Sequence, residues 1–276
     1  MEKKIIFLDI DGTLTEPGKN VPPESALKAI RAAREKGHCV FLCTGRNYDM
    51  MKPLLKFDFD GFIASSGGYI QCGNEVIYNC PLTEEQRVLA LDLFEKNNIF
   101  RTIECNEGSF TTKEFKEFLR KNAETSGNSE FLRWREQLEK NLNMRPIEEY
   151  EGQAVYKVVL MVDEEWKLEE PMKVLGYEFN FVIQEKNEHG YINCEFISRE
   201  YDKGQAVKRV CAHLGMDVKD SYAFGDSMND FEMMEVAGTS ICMENGSAAL
   251  KDMADDICKS VSEDGLYKAF LKHGLL

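Results

Sequence analysis

Short, nearly all-apolar runs alternate with helical spacing through the first third of the chain. Residues 4–8 form one such run, which suits a central parallel strand buried on both faces. Pro22-Pro23 opens a helical stretch to about residue 36, since proline fits a first helical turn. Ala26, Leu27, Ile30 and Ala33 supply its apolar stripe, and Gly37 ends it. A second apolar run at 39–43 leads into Thr44-Gly45-Arg46 and a helix to about residue 55. A third, at 62–64, leads into Ser65-Ser66-Gly67-Gly68. Strand, turn and helix in succession predict a parallel sheet with helices packed on it.

After Pro81 the pattern changes. Thr83 followed three residues on by Gln86 has capping-box spacing, and Val88, Leu89, Leu91, Leu93 and Phe94 carry the helix to about residue 97. Extended runs follow at 99–104 and 109–112, then a charged, mostly helical stretch at 113–143. Strands are predicted at 155–162 and 177–184 around a helix at 164–175. From about Tyr201 the first grammar returns, with helices at 205–214 and 231–236 and strands at 222–224 and 239–243. The fold class is therefore α/β: a Rossmann-like parallel-sheet core, residues 1–81 and 191–276, with an α+β domain inserted at 82–190.

Composition narrows the partners. Of 276 residues, 43% are hydrophobic, enough for a packed core. Lys and Arg number 34 against 48 Asp and Glu, so the net charge is −14 and a nucleic-acid partner is not expected. No apolar stretch approaches the roughly 20 residues of a membrane helix, and the run after Lys4 is too short for a signal-peptide core. Nine cysteines, odd in number and with no C-x-x-C, read as reduced thiols filling the core of a cytoplasmic chain.

Four polar places follow predicted core strands. In an open parallel sheet, ligands bind outside the carboxyl ends of the strands, so these places should converge. Asp9-Ile10-Asp11-Gly12-Thr13-Leu14 offers two carboxylates that can share a cation such as Mg²⁺; its residue types also make a plain turn. Thr44-Gly45-Arg46 offers a hydroxyl and backbone amides to an anion, or a simple helix cap, and Arg46 can serve a substrate anion or a surface acid. Lys203 is a point charge suited to phosphate, or a solvated surface lysine. Gly225-Asp226-Ser227-Met228-Asn229-Asp230 brings two more carboxylates and an amide: Asp226 can complete a metal site, Asn229 can donate to a phosphate oxygen, and Asp230 can orient Lys203 or a metal-bound water; the same residues also make a plain polar turn.

Together these segments resemble the haloacid dehalogenase superfamily, specifically its Cof-type phosphatases with a type IIB cap. The match is D-x-D-G-T-L at Asp9–Leu14, Thr44-Gly45-Arg46, Lys203-Gly204 and G-D-x-x-N-D at Gly225–Asp230, and continues through Ala237-Gly238, Asn245-Gly246 and Glu263-Asp264-Gly265. The resemblance implies that Asp9 is the nucleophile and Asp11 the general acid and base. It implies that Asp9, Asp226 and the Asp11 backbone carbonyl hold Mg²⁺. Thr44, Gly45, Lys203 and Asn229 would bind the phosphoryl group. Ser66-Gly67-Gly68 stands where the family often has Asn-Gly-Ala, a departure that bears on any substrate contact there; Ser66, Gly67, Arg46 and Asp230 would touch the substrate or support the residues that do.

The expected function is hydrolysis of a small phosphorylated metabolite, sugar phosphates foremost, by a monomer or weak homodimer. Phosphotransfer to another acceptor, as in a phosphomutase, uses the same nucleophile. A phosphorylated cofactor such as pyridoxal phosphate or flavin mononucleotide is a second substrate class. A silent binding module is the third reading, disfavoured because Asp9, Asp11, Lys203 and Asp226 are all present. The inserted cap is expected to close over the site and select the substrate. Glu104, Asn106 and Tyr191 are read as surface, and Trp134 and Trp166 as anchors for their helices.

Overall fold

A computed structural model describes residues 2–122, 144–184, 186 and 190–276, with only the backbone described for 118–122. In chain order the strands are β1 (Ile5–Leu8), β2 (Cys39–Cys43), β3 (Gly61–Ala64), β4 (Tyr69–Cys72), β5 (Glu75–Asn79), β6 (Phe100–Cys105), β7 (Gly108–Thr111), β8 (Met144–Pro146), β9 (Val155–Val162), β10 (Phe179–Ile183), β11 (Ile192–Ser198), β12 (Ser221–Gly225), β13 (Thr239–Met243) and β14 (Asp256–Cys258). The chain forms two compact units, one of Met1–Arg46, Met51–Asn79 and Tyr201–Leu276, the other of Asn47–Met50 and Cys80–Glu200.

The first unit holds an eight-stranded sheet among the described residues, ordered β14-β13-β12-β1-β2-β3-β4-β5. It is parallel from β14 to β3 and antiparallel from β3 to β5. All four residues of β1 are buried, as a central strand covered on both faces requires. Leu8 lies opposite Phe224 on one side and Leu42 on the other. The next residues, Asp9, Gly225-Asp226 and Cys43-Thr44, therefore leave the sheet at one edge. The hairpin β4–β5 has no counterpart in the strand–turn–helix reading; Gly73-Asn74, a hairpin-turn pair, joins its strands.

The second unit has a six-stranded sheet among the described residues, ordered β10-β11-β9-β6-β7-β8. Its apolar face packs on the helices Glu84–Lys96 and Glu169–Leu175. The predicted capping box is present: Thr83 Oγ1 accepts from the Gln86 amide at 3.2 Å, and Gln86 Oε1 accepts from the Thr83 amide at 3.0 Å. Phe196 centres the core, stacked on Phe179 at 4.3 Å and edge-on to Phe94 at 5.1 Å.

Three expectations change, and a fourth reaches past the described residues. The second boundary falls after Glu200, not at 190/191, because β11 pairs with β9 and β10 and so belongs to the inserted sheet. Glu104 is fully buried, not at the surface: it lies opposite Lys157 in the sheet, with Lys157 Nζ 3.6 Å away and a further 2.7 Å contact from Lys157 to Glu195. Trp166 is 60% exposed and does not anchor its helix. The helix predicted over 113–143 is seen as Lys113–Asn122; the remainder, with Trp134 and also His189, lies outside the described residues. Of the nine free cysteines seven are buried, consistent with a core role. No helix of the described residues is long and apolar enough to cross a membrane.

Truncating Phe196 to Ala should cost about 3–5 kcal/mol, the range for a buried aromatic. Hydrogen exchange should quicken in β9 and β11 and stay unchanged in β1 and β2. Equal acceleration in both sheets would show that the inserted unit lacks a core of its own.

Candidate active site

Asp9 continues β1, its amide donating to the Phe224 carbonyl at 3.0 Å, so the strand pairing itself fixes the backbone of this residue. The chain then turns sharply. The Leu14 and Thr15 amides donate back to the Ile10 carbonyl at 3.0 and 2.9 Å. Gly12 has φ +88°, and a Cβ there would stand 2.2 Å from Asp226 Oδ2. Glycine at this position lets the Asp9 loop and the Asp226 turn approach each other.

Lys203 opens the helix Lys203–His213, whose N-cap is Asp202; the Asp202 carboxylate accepts from the Gln205 amide at 2.7 Å. Lys203 is 1% exposed. Its ammonium donates to Asp9 Oδ1 at 2.8 Å and Asp230 Oδ1 at 2.6 Å, with Asn229 Oδ1 at 3.5 Å. The solvated-surface alternative for this lysine is thereby excluded. Asp230, fully buried, also accepts at Oδ2 from the amides of Asp226 and Ser227, at 3.0 and 3.2 Å. It ties Lys203 to the Asp226 turn. Asn229 is exposed at the rim, its Oδ1 accepting from Ser227 Oγ at 2.8 Å.

Asn245 belongs to this site and was not singled out by the chemical reading of the sequence. Its Nδ2 donates to the Gly12 carbonyl at 3.0 Å and to Asp226 Oδ2 at 3.2 Å. Its signal was the Asn-Gly pair after β13, a fifth strand end on the same edge.

Thr44 is buried, and its hydroxyl accepts from the Arg46 amide at 3.1 Å, closing a local turn and not capping the helix as left open above; the helix Tyr48–Met51 is capped by Asn47, whose Oδ1 accepts from the Met50 amide at 3.0 Å. The Arg46 side chain is 1% exposed, so it does not lie at the surface. It grips Asp11, with Nε 2.7 Å from Oδ2 and Nη2 2.6 Å from Oδ1. Ser65 and Ser66 take left-handed backbone, φ 48° and 55°. A Cβ on Gly67 would stand 2.6 Å from the Asp202 carbonyl, so this turn lies against the start of the Lys203 helix. Gly45 is buried between Thr44 and Arg46.

The carboxylates brought within one cation's reach are those of Asp9, Asp226 and Asp230, not Asp11, whose side chain is taken by Arg46. Burial first, then Asp230, pushes Asp9 up from the usual carboxylate range toward neutrality, against the pull of Lys203. Burial, then Asp9 and Asp230, does the same to Asp226. Burial draws Lys203 down, yet Asp230 and Asp9 outweigh it and lift the ammonium well above the usual lysine value. Four buried carboxyls thus share two cationic side chains. Asp226 Oδ1 is buried with no hydrogen-bond partner among the described residues. An oxygen-rich set with excess negative charge fits Mg²⁺.

Comparison with known proteins gives the family. The model of the family described as haloacid dehalogenase-like hydrolase matches residues 6–270. The protein YkrA of Bacillus subtilis is 31% identical over 278 residues, covering 100% of each chain. The 5-amino-6-(5-phospho-D-ribitylamino)uracil phosphatase YwtE of the same organism is 28% identical over 278 residues, with 95% of each chain covered. Among solved structures, a protein of Geobacillus kaustophilus superposes with TM-score 0.77 at 26% identity over 100% of both chains. The subclass IIB sugar phosphatase BT4131 shares the fold, with TM-score 0.75 at 23% identity over 99% of this chain and 100% of that one. With a family model that spans nearly the whole sequence and a relative aligned from end to end, the chain belongs to the haloacid dehalogenase-like hydrolases, among the Cof-type phosphatases.

Proposed function

We propose that the chain hydrolyses small phosphorylated metabolites, sugar phosphates foremost, by a Mg²⁺-dependent route through a phosphorylated Asp9. The observation that carries the reading is the buried Lys203 ammonium, 2.8 Å from Asp9 Oδ1 and 2.6 Å from Asp230 Oδ1, beside the carboxylate of Asp226. YwtE, a relative that acts on a phosphorylated ribitylamino compound, supports the substrate class.

A carboxylate attacking a phosphate dianion needs that charge neutralised. Lys203 supplies one charge and holds the Asp9 side chain in place. Asp9 and Asp226, with the Asp11 backbone carbonyl, would hold Mg²⁺, which when bound supplies positive charge against the phosphoryl oxygens. Asp9 attacks phosphorus, the ester P–O bond breaks, and Asp11 gives its proton to the leaving oxygen. A water then attacks the phosphoryl group and yields its proton to Asp11. The bond to Asp9 breaks and inorganic phosphate leaves. Thr44, Gly45 and Asn229 hold phosphoryl oxygens in this scheme. The Cys80–Glu200 unit selects the substrate, and nine unpaired thiols suit a reducing, cytoplasmic setting.

Phosphate release from a panel of phosphorylated sugars, nucleotides and cofactors tests the reading. Release should require Mg²⁺, stop with chelator, and fall about a thousandfold or more in Asp9→Asn. Activity that survives Asp9→Asn would refute the assignment.

The carboxylates also set a pH dependence. Asp9 and Asp226 have folded values raised above the unfolded one, so their stabilising contribution is full below about pH 4 and is lost as pH rises through neutrality. Metal-free protein should therefore melt lower at pH 8 than at pH 6, and Mg²⁺ should narrow the gap. Asp226→Asn should raise the metal-free melting temperature at pH 8 and abolish the Mg²⁺ response. A melting temperature indifferent to both would contradict this.

A further inference from the structure

Asp11 is held by two segments outside its own motif. Gly18 donates its amide to Oδ1 at 2.8 Å, and the Arg46 guanidinium spans both oxygens at 2.6 and 2.7 Å. Arg46 is itself pinned. Nη1 donates to Asn20 Oδ1 at 2.7 Å and Nη2 to the Lys19 carbonyl at 3.1 Å. Its backbone is fixed at both ends, the amide on Thr44 Oγ1 at 3.1 Å and the carbonyl accepting from the Ser65 amide at 2.8 Å. The line Asn20–Arg46–Asp11 thus runs from a half-buried amide to a carboxyl at the mouth of β1.

We infer that Arg46 and Asn20 are positioning residues that fix the plane of the Asp11 carboxyl for proton delivery to the leaving oxygen. The inference rests on the reading of Asp11 under Proposed function. Proton transfer needs donor and acceptor within hydrogen-bond reach in a set direction, and a side chain with two free torsions loses that when it swings. A guanidinium fork fixes a carboxylate at two points; an ammonium fixes it at one. Arg46→Lys therefore keeps the charge and loses the plane, while Asn20→Ala keeps the fork and loosens its mount.

The test is the leaving-group dependence of kcat/KM, which covers the steps up to release of the leaving group and leaves out hydrolysis of the phosphorylated enzyme. An alkyl phosphate and p-nitrophenyl phosphate are compared, because nitrophenolate departs without a proton. Arg46→Lys should lower kcat/KM for the alkyl ester about 10–100-fold and for the aryl ester less than about 3-fold. Asn20→Ala should move the ratio in the same direction by less, and it carries the test if Arg46→Lys does not fold. In Asp11→Asn, adding Arg46→Lys should leave the aryl rate unchanged. Equal losses on both esters, a raised KM without a change in ratio, or full activity in both variants would overturn the inference. Asp9→Asn separates the two claims, since turnover that survives it overturns the parent reading whatever the ratio does.

Discussion

The buried ion cluster around Lys203 is the constraint from which the rest of the core unit follows. Removing one partner from a buried ion group costs about 3–5 kcal/mol, because the remaining charges stay desolvated. Lys203 touches Asp9 and Asp230, and Asp230 in turn caps the turn that carries Asp226. Three segments distant in sequence are thus bound by one ammonium. Parallel pairing of β1 with β2 and β12 brings their carboxyl ends together, and the ammonium makes that gathering of acids tolerable.

The compensation is incomplete. Asp9, Asp11, Asp226 and Asp230 face Lys203 and Arg46, and the carboxyls of Asp9 and Asp226 are both pushed up by burial and by neighbouring acids. Buried acids in excess of their cationic partners mark a strained site and not a set of structural salt bridges, and the proposed divalent cation would relieve that stress. Arg46 stands apart from this stress, bound to Asp11 among the four acids in the contacts described above, and in the proposed mechanism it would separate a nucleophile side from a proton-transfer side.

Much of this was legible in the sequence because apolar runs ending in polar residues mark buried strands and what leaves them. Asp9, Thr44 and Asp226 each follow such a run, and the structure gathers them. The Arg46 grip on Asp11 was not legible, since a side chain 35 positions away gives no local sign of its partner. Asn20 and Gly18 act through a loop whose path no periodicity encodes. The strand β11 is hidden for another reason: Ile192, Cys194 and Phe196 alternate with polar residues, as one-sided antiparallel strands do, and so form no all-apolar run. Glu104 was misread because its acid looked like surface when its partner, Lys157, lay on a different strand.

The central claim is that Asp9 takes the phosphoryl group. Borohydride reduces an acyl phosphate to an alcohol, so an aspartyl-phosphate trapped during turnover becomes homoserine. Wild-type protein should be acid-quenched in the presence of a turned-over phosphate ester and Mg²⁺, reduced, and mapped by mass spectrometry over the peptide that contains Asp9 and Asp11. The account predicts homoserine at position 9 and aspartate at position 11. Homoserine at another carboxyl, or unmodified Asp9 in protein that is turning over under conditions that preserve acyl phosphates, would contradict it.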